Sequence, residues 1–528
     1  MPFARLQMID SPHRPAHFST LTRRQISVLA LIVIAGACIR FYQIAGPSLW
    51  LDEIWSIEMA RGQGSQHDYF VDGVIRTDQP ELTSLATAAP WWQIWSHLQL
   101  VIHPPLYFVV LRWWMDFFGN SAAAIRCLSA IVSLLEIGVF FDVCRLLHGT
   151  RIALIAAAVM TLAIAQIHIA QDARSYPQLI LLGLCCCDAL VRIELFGASF
   201  RRLLLLSVSL FAFMLTHYFA AGAVLALLLY ALIRLRGQSR NRVIAAALIA
   251  GNITAAAWGW QFRDQMRTYP GFSPGYLREN VHNHVIHTFS RAAKLPLQYF
   301  FGSALGQEIR PPFHVVAVLI LLYAIARLRA RPELLLWVLW VACVGGWVAA
   351  MDLAHHSRIL EFLHLTILAS PGVYALVAAI EWPRFGRLRG ALPYGVIAVL
   401  AVMVGLRLRD GVPALMDFRS LSQYIDSHAQ PDDLLVYYHP SRFTSPGLWY
   451  MCCKYYSPRS RHPWVTLRTA LDAGLLAQFV SRQSLWVIGD APETDGPAIL
   501  PGWQVEQQFS NSAGGACEMR RAAPMPVH

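Results

Sequence analysis

The chain has 528 residues, 56% of them hydrophobic and 14% charged, with a formal net charge of +11. Apolar runs recur through the first four hundred residues, which excludes a soluble globular protein. The positive balance does not indicate nucleic acid, because the arginines stand in short clusters between apolar runs, as membrane orientation signals do.

Residues 26–44 suit a bilayer-crossing helix. Arg23 and Arg24 precede it and no small-residue cleavage site follows, so it reads as a retained anchor. Where it ends stands Trp50-Leu51-Asp52-Glu53, and two adjacent carboxylates at headgroup level are hard to explain as packing. Continued as a helix to Arg61, the segment puts Leu51, Ile54, Trp55 and Met59 on one face and Asp52 with Ser56 on another. That predicts a helix lying on the membrane surface with a carboxylate turned to the loop. Such a carboxylate can take a proton from an acceptor hydroxyl or bind a divalent cation; the structural alternative pairs Glu53 with a nearby base.

Next in order, His103-Pro104-Pro105-Leu106-Tyr107 opens the segment 104–118. At about 1.5 Å per residue this segment is short of a roughly 30 Å core, and with Arg112 and Asp116 inside it reads as an interfacial or re-entrant helix. His103, just ahead of the helix N-terminus, joins a region friendly to anions, and Arg126 at the outer start of the following span adds positive charge. Glu136 is the deepest charge within a span; Asp142 with Arg145, and Asp188 with Arg192, have the spacing of helical ion pairs. Between two later runs lies Gln171-Asp172-Ala173-Arg174-Ser175-Tyr176. Asp172 and Arg174 either pair across the turn, or Arg174 holds a phosphate in its planar fork while Asp172 meets a sugar hydroxyl, an acceptor or a metal. The stretch 203–233 is barely long enough for two crossings, with Thr216-His217-Tyr218 as its polar break, and His355, His356 and Arg358 bring further positive charge between later spans.

Arginine clusters at 145–151, 192–202, 234–242, 327–331 and 384–389, placed on the cytoplasmic side with the N-terminus, require about eleven crossings and an external C-terminus. The loops carrying Asp52, Asp172, His217 and Arg358 then share the outer face. The expected architecture is an all-α polytopic membrane region over 1–407, with interfacial helices in a first outer loop (45–124), and a small soluble α/β domain over 408–528 that caps or stabilises it. Cys185, Cys186 and Cys187 read as small hydrophobes, and Cys452 or Cys453 is a candidate partner for Cys517 in an oxidising compartment.

Leu-Trp-x-Asp-Glu after the first helix, His-Pro-Pro-Leu-Tyr before an interfacial helix, and Gln-x-Ala-Arg-x-Tyr two spans later, together with Thr216-His217-Tyr218-Phe219-Ala220, resemble the polytopic GT-C glycosyltransferases that use polyprenyl-phosphate sugars. The resemblance runs through about the first 230 residues. It implies a catalytic base at Asp52 with Glu53 as its companion, and Asp172 lining the same cavity. Substrate and phosphate contacts are expected from His103, Arg126, Arg174, Tyr176, His217 and Arg358, although Ile359 follows Arg358 where relatives often carry Tyr. The implied reaction is inverting transfer of a sugar from a polyprenyl-phosphate donor to a glycan, lipid or protein acceptor outside a bacterial inner membrane, with no assured cofactor and a divalent cation left open. A lipid-linked sugar flippase or secondary transporter is the alternative, and would place its working charges at the midplane, where only Glu136 stands.

Overall fold

The structure is a computed structural model and describes residues 20–268, 283–308, 311–381, 390–439, 445–468, 484–490 and 503–521. The arginines at 384–389 used in the topology argument lie outside these residues.

Helix α1 (Arg23–Phe41) starts at a capping box, in which Thr22 and Gln25 satisfy each other's backbone N–H. After a turn comes the short α2 (Leu51–Ala60), then three 3₁₀ turns within 66–96, then α3 (Leu106–Phe118), which opens after Pro104-Pro105 and stops at Gly119 with φ 78°. The long α4 (Ala122–His148) leads into α5 (Thr150–Leu162) and α6 (Ile164–Ala170), two helices bent by 62° across one residue. The turn Gln171–Ser175 connects to α7 (Tyr176–Phe196). Helices α8 (Phe200–Met214) and α9 (Ala220–Arg234) are separate, broken at the expected Thr216-His217-Tyr218. The rest of the membrane region comprises α10 (Gly237–Thr268), α11 (His284–Glu308, kinked at Gly302), α12 (Pro311–Ala326), α13 (Leu335–His355), α14 (Leu363–Thr366), α15 (Ser370–Ala379) and α16 (Leu392–Asp410).

By length and composition, five of the described helices suffice to cross a membrane, or six if the bent α5–α6 pair is one span, and the chain is an integral membrane protein. The expected eleven crossings therefore need shorter helices as well. Helices α4, α5, α7, α9, α13 and α15 pack around one apolar core. Asp142, Arg145, Asp188 and Arg192 form one ion-pair network rather than two separate pairs, because Arg192 reaches both carboxylates. Glu136 is fully buried, and neither of its oxygens has a hydrogen-bond partner.

Beyond α16, three residues past the expected boundary, α17 (Phe418–His428), β1 (Leu434–Tyr438), α18 (Pro446–Tyr456), β2 (Trp464–Leu467), β3 (Ser484–Gly489), β4 (Trp503–Asn511) and β5 (Gly514–Arg521) build a five-stranded sheet of order β2-β1-β3-β5-β4. β1 pairs in parallel with β2 and β3, whereas β5 is antiparallel to β3 and β4. Cys452 and Cys453 are free, buried thiols on α18, so the considered disulfide to Cys517 is not formed. Strand alternation explains why: Ala516 faces the α18 side of the sheet and Cys517 the other.

This domain and the segment between α1 and α4 share a second apolar core, with Ile54, Ile57, Leu98 and Leu111 from that segment packed with Leu421, Trp449 and Trp486. The backbones meet too. Arg76 bridges to Trp464, and the Leu49 N–H donates to the Tyr456 hydroxyl at 2.5 Å.

Candidate active site

Helix α2 is not the surface helix its pattern predicts. Glu53, Ser56 and Glu58 are all fully buried, because α3, the start of α4, the Asp172 turn and α18 enclose the helix, and each glutamate has a dedicated partner. Glu58 binds His67 at 2.6 Å. Glu53 accepts from Arg126 Nε at 2.7 Å and Nη2 at 2.6 Å, from the Ala173 N–H at 2.9 Å, and from the Trp50 N–H at 3.1 Å, which caps the helix. Burial pushes the Glu53 carboxyl up while Arg126 pulls against it; with both oxygens accepting from the guanidinium, the ionised form is the one this geometry holds. Arg126 spends its remaining N–H groups on the carbonyls of Ile44, Pro47 and Ser48. The pair thus ties together the turn before α2, the start of α4 and the Asp172 turn.

Asp52, one position earlier, escapes this clamp and keeps 21% of its side chain exposed. Its carboxylate faces Arg174 Nη2 at 3.5 Å. The same guanidinium donates to the Asp52 carbonyl and the Ser56 hydroxyl, each at 3.2 Å, and lies 3.3 Å from His103 Nε2. Burial is the largest influence on Arg174 and works against its charge, but Asp52, Tyr176 and Tyr107 together hold it above its ordinary value. Behind Arg174 the rings of His103 and His217 stand 5.0 Å apart, and Tyr176 lies 6.0 Å from His217 and 5.1 Å from His364. Burial, reinforced by Arg174, depresses both imidazoles, His217 to about 3.

Asp172 points to the other side of the turn. It lines a pocket of about 370 Å³ with Trp50, Arg126, His168, Gln171 and Arg407. His168 Nε2 lies 3.6 Å from its carboxylate. Burial is the main reason its carboxyl is pushed up to about 7, against the pull of Arg126 and Arg174.

The structure thus gathers Asp52, His103, Arg174, Tyr176 and His217 around one point, with Asp172 in an adjoining pocket and Glu53 and Arg126 as their frame. Arg358 is the exception: it is exposed and lies 3.8 Å from Glu361, which also binds Arg291. Sequence reasoning missed His364 and Arg407, which donates to Gln171 at 3.1 Å. Neither belongs to a compact polar motif: Arg407 reads as one of the charges that close α16, and His364 is set between apolar residues three positions after Glu361. Among the described residues no group of three or more His, Cys, Asp or Glu could hold a metal ion. From the histidines a groove of about 1030 Å³ runs between α9 and α10, lined by His217, Val224, Leu228, Ala255, Trp258 and Phe262.

Residues 102–260 match the family model described as dolichyl-phosphate-mannose-protein mannosyltransferase. No curated protein matches the chain by sequence. The fold is similar to the crystal structure of ArnT from Cupriavidus metallidurans in the apo state, at TM-score 0.56 and 14% identity over 95% of this chain and 100% of that one. It is likewise similar to the same protein bound to undecaprenyl phosphate, at TM-score 0.54 and 15% identity over 94% and 99% of the two chains.

Proposed function

We propose that this chain, which has the fold of the GT-C glycosyltransferases, transfers a sugar from a polyprenyl-phosphate carrier to an acceptor hydroxyl on the outer side of the membrane. The observation that carries this reading is the setting of Asp52: a partly exposed carboxylate beside a buried guanidinium, on a helix whose other acids are locked in ion pairs. Asp52 takes the proton of the acceptor hydroxyl as its oxygen attacks the anomeric carbon. The bond from that carbon to the phosphate oxygen breaks on the opposite face, its electron pair leaves with the phosphate, and configuration inverts. Arg174 meets the charge that develops there. The apolar groove beside His217 suits the hydrocarbon of the carrier, and the family of the matched model and the ligand bound by ArnT agree with a lipid-phosphate donor. A bacterial inner membrane, with about eleven crossings and the site outside, completes the reading; the acceptor is a glycan, a lipid or a protein.

Transfer of labelled sugar from polyprenyl-phosphate donors by purified protein tests it. Asp52→Asn is expected to lower turnover by roughly 10²–10⁴-fold while the protein still folds; near-normal turnover in that variant would sink the assignment. Transport is the rival reading, and its one structural support is Glu136, buried and without a hydrogen-bond partner. Glu136→Gln is expected to keep transfer. Loss of donor movement across liposomes in that variant, with no transfer by wild type, would favour transport.

A further inference from the structure

Residues 97–105, between the last 3₁₀ turn of the loop and α3, form neither helix nor strand, yet they bring His103 to within 3.3 Å of Arg174. Their anchor comes from a distant element. On α10, 162 residues beyond His103, the fully buried Gln265 donates through Nε2 to the carbonyl of Leu98 at 2.7 Å and to that of His103 at 3.2 Å. Its Oε1 accepts from the Tyr218 hydroxyl. Trp258 can only donate, so Tyr218 accepts its Nε1–H at 2.8 Å and turns its own hydrogen to Gln265. Carbonyls can only accept, so a flipped Gln265 amide would set oxygen against oxygen at Leu98 and His103. The chain from Trp258 through Tyr218 and Gln265 to the two carbonyls therefore runs one way and admits a single orientation at each step.

Its far end is braced as well. Trp95, from the same loop as His103, donates to the Ala257 carbonyl at 2.9 Å, and its ring stands edge-on to that of Trp258 at 6.0 Å. At the near end, Arg174 Nη2 lies between His103 Nε2 at 3.3 Å and the Asp52 carboxylate at 3.5 Å, and both draw on the same donor. The space against His103 and Arg174 is too small for a water molecule, so no solvent can take up a displacement there. If the His103 backbone moves, the guanidinium is left to close on Asp52 alone.

We infer that Gln265 is a positioning residue for the transfer reaction: it pins the backbone of Leu98 and His103 to α10 and so holds Arg174 shared between His103 and Asp52. The inference rests on the function proposed above and extends it to a residue that touches none of the reacting groups. A guanidinium shared in this way leaves the Asp52 carboxylate available to the acceptor hydroxyl, whereas a close ion pair between the two would occupy both partners. Gln265 thus acts on the chemical step rather than on substrate binding.

The test is steady-state transfer of labelled sugar from a polyprenyl-phosphate donor by purified full-length protein in detergent, with the melting of each variant measured alongside. Gln265→Leu is expected to lower kcat about ten-fold, with the KM for the donor changed less than about two-fold. Gln265→Glu keeps the shape and the acceptor for Tyr218 but loses the amide donors to Leu98 and His103, and the same loss is expected there. Tyr218→Phe leaves the ring in the groove wall and is expected to cost less, since Gln265 can still donate. The deciding measurement is the cycle with His103→Ala: Gln265→Glu in that background is expected to lower kcat no further, because its effect passes through His103. Losses that multiply in the double variant, or normal kcat in folded Gln265→Leu and Gln265→Glu, would overturn the positioning role alone. Should both Gln265 variants melt too low to assay, the same cycle with Tyr218→Phe decides. Absence of transfer by wild type from any polyprenyl-phosphate donor would overturn the proposed function, and this role with it.

Discussion

Adjacent residues of one chemical type receive opposite duties here. Asp52 and Glu53 differ by one position on α2, and a rotation of about 100° turns one toward Arg174 and the other into a buried clamp with Arg126. Asp172 differs from both, since its carboxyl is buried with no strong ion pair and is held up to about 7. In the unfolded chain an aspartate releases its proton near 3.9. Between about pH 4 and 7 the folded state therefore binds the extra proton, and stability falls as pH rises through that window and levels off above it. Asp172→Asn is expected to melt above wild type by a margin that grows from pH 4 to 7 and then stays constant; an equal margin at pH 4.5 and 8 would show that the carboxyl ionises normally. At this scale the sequence was legible wherever polar residues clustered: Asp52, His103, Arg174 and His217 were all visible in separate motifs. Arg126 was visible as a charge but not as the partner of Glu53, because that contact spans 73 residues and leaves no periodic trace. His364 and Arg407 gave no local signal of a place near the site, because Arg407 reads with Arg409 and Asp410 as the charged end of a helix.

Among the elements, periodicity and breakers did most of the predicting. The prolines before α3, the polar break between α8 and α9, and the short turn at Gln171–Ser175 all stand where they were expected. The reading of α2 failed because amphipathic spacing shows that two faces differ, not what covers the polar one. Close helix contacts were equally hidden. Gly222 on α9 approaches α13 so nearly that an added Cβ would lie 2.8 Å from the Cys343 carbonyl and 2.9 Å from Trp347 Cβ. Backbone cannot yield as a flexible side chain can, so Gly222→Val is expected to cost roughly 1–3 kcal/mol. Since α9 starts just after His217, that substitution should also weaken carrier binding, measurable beside its melting temperature; an unchanged melting temperature would show that α13 can move aside.

Across the whole molecule, the C-terminal domain and the loop between α1 and α4 pack as one body, although some three hundred residues separate them in sequence. Composition announced a small α/β unit after the last span, and the sheet bears this out. Its partnership with α2 was not legible, because apolar residues such as Leu448, Trp449 and Trp486 look the same whether they pack within their own domain or against another segment. Removing residues beyond Asp410 should therefore do more than delete an appendage. Such a truncation is expected to leave the loop between α1 and α4 open to limited proteolysis, cut first near α2, while full-length protein resists; equal resistance would mean that the loop holds its shape unaided.

The bond from Leu49 to Tyr456 also sets an order of events during biosynthesis. The ribosome makes α2 early, but the apolar residues that enclose it arrive hundreds of residues later and must reach the same side of the membrane. Until then α2, which carries Asp52, lacks the apolar cover that α18 supplies. On the function proposed above, the chain would therefore gain activity only near the end of its own synthesis, and an unfinished chain would leave the carrier untouched.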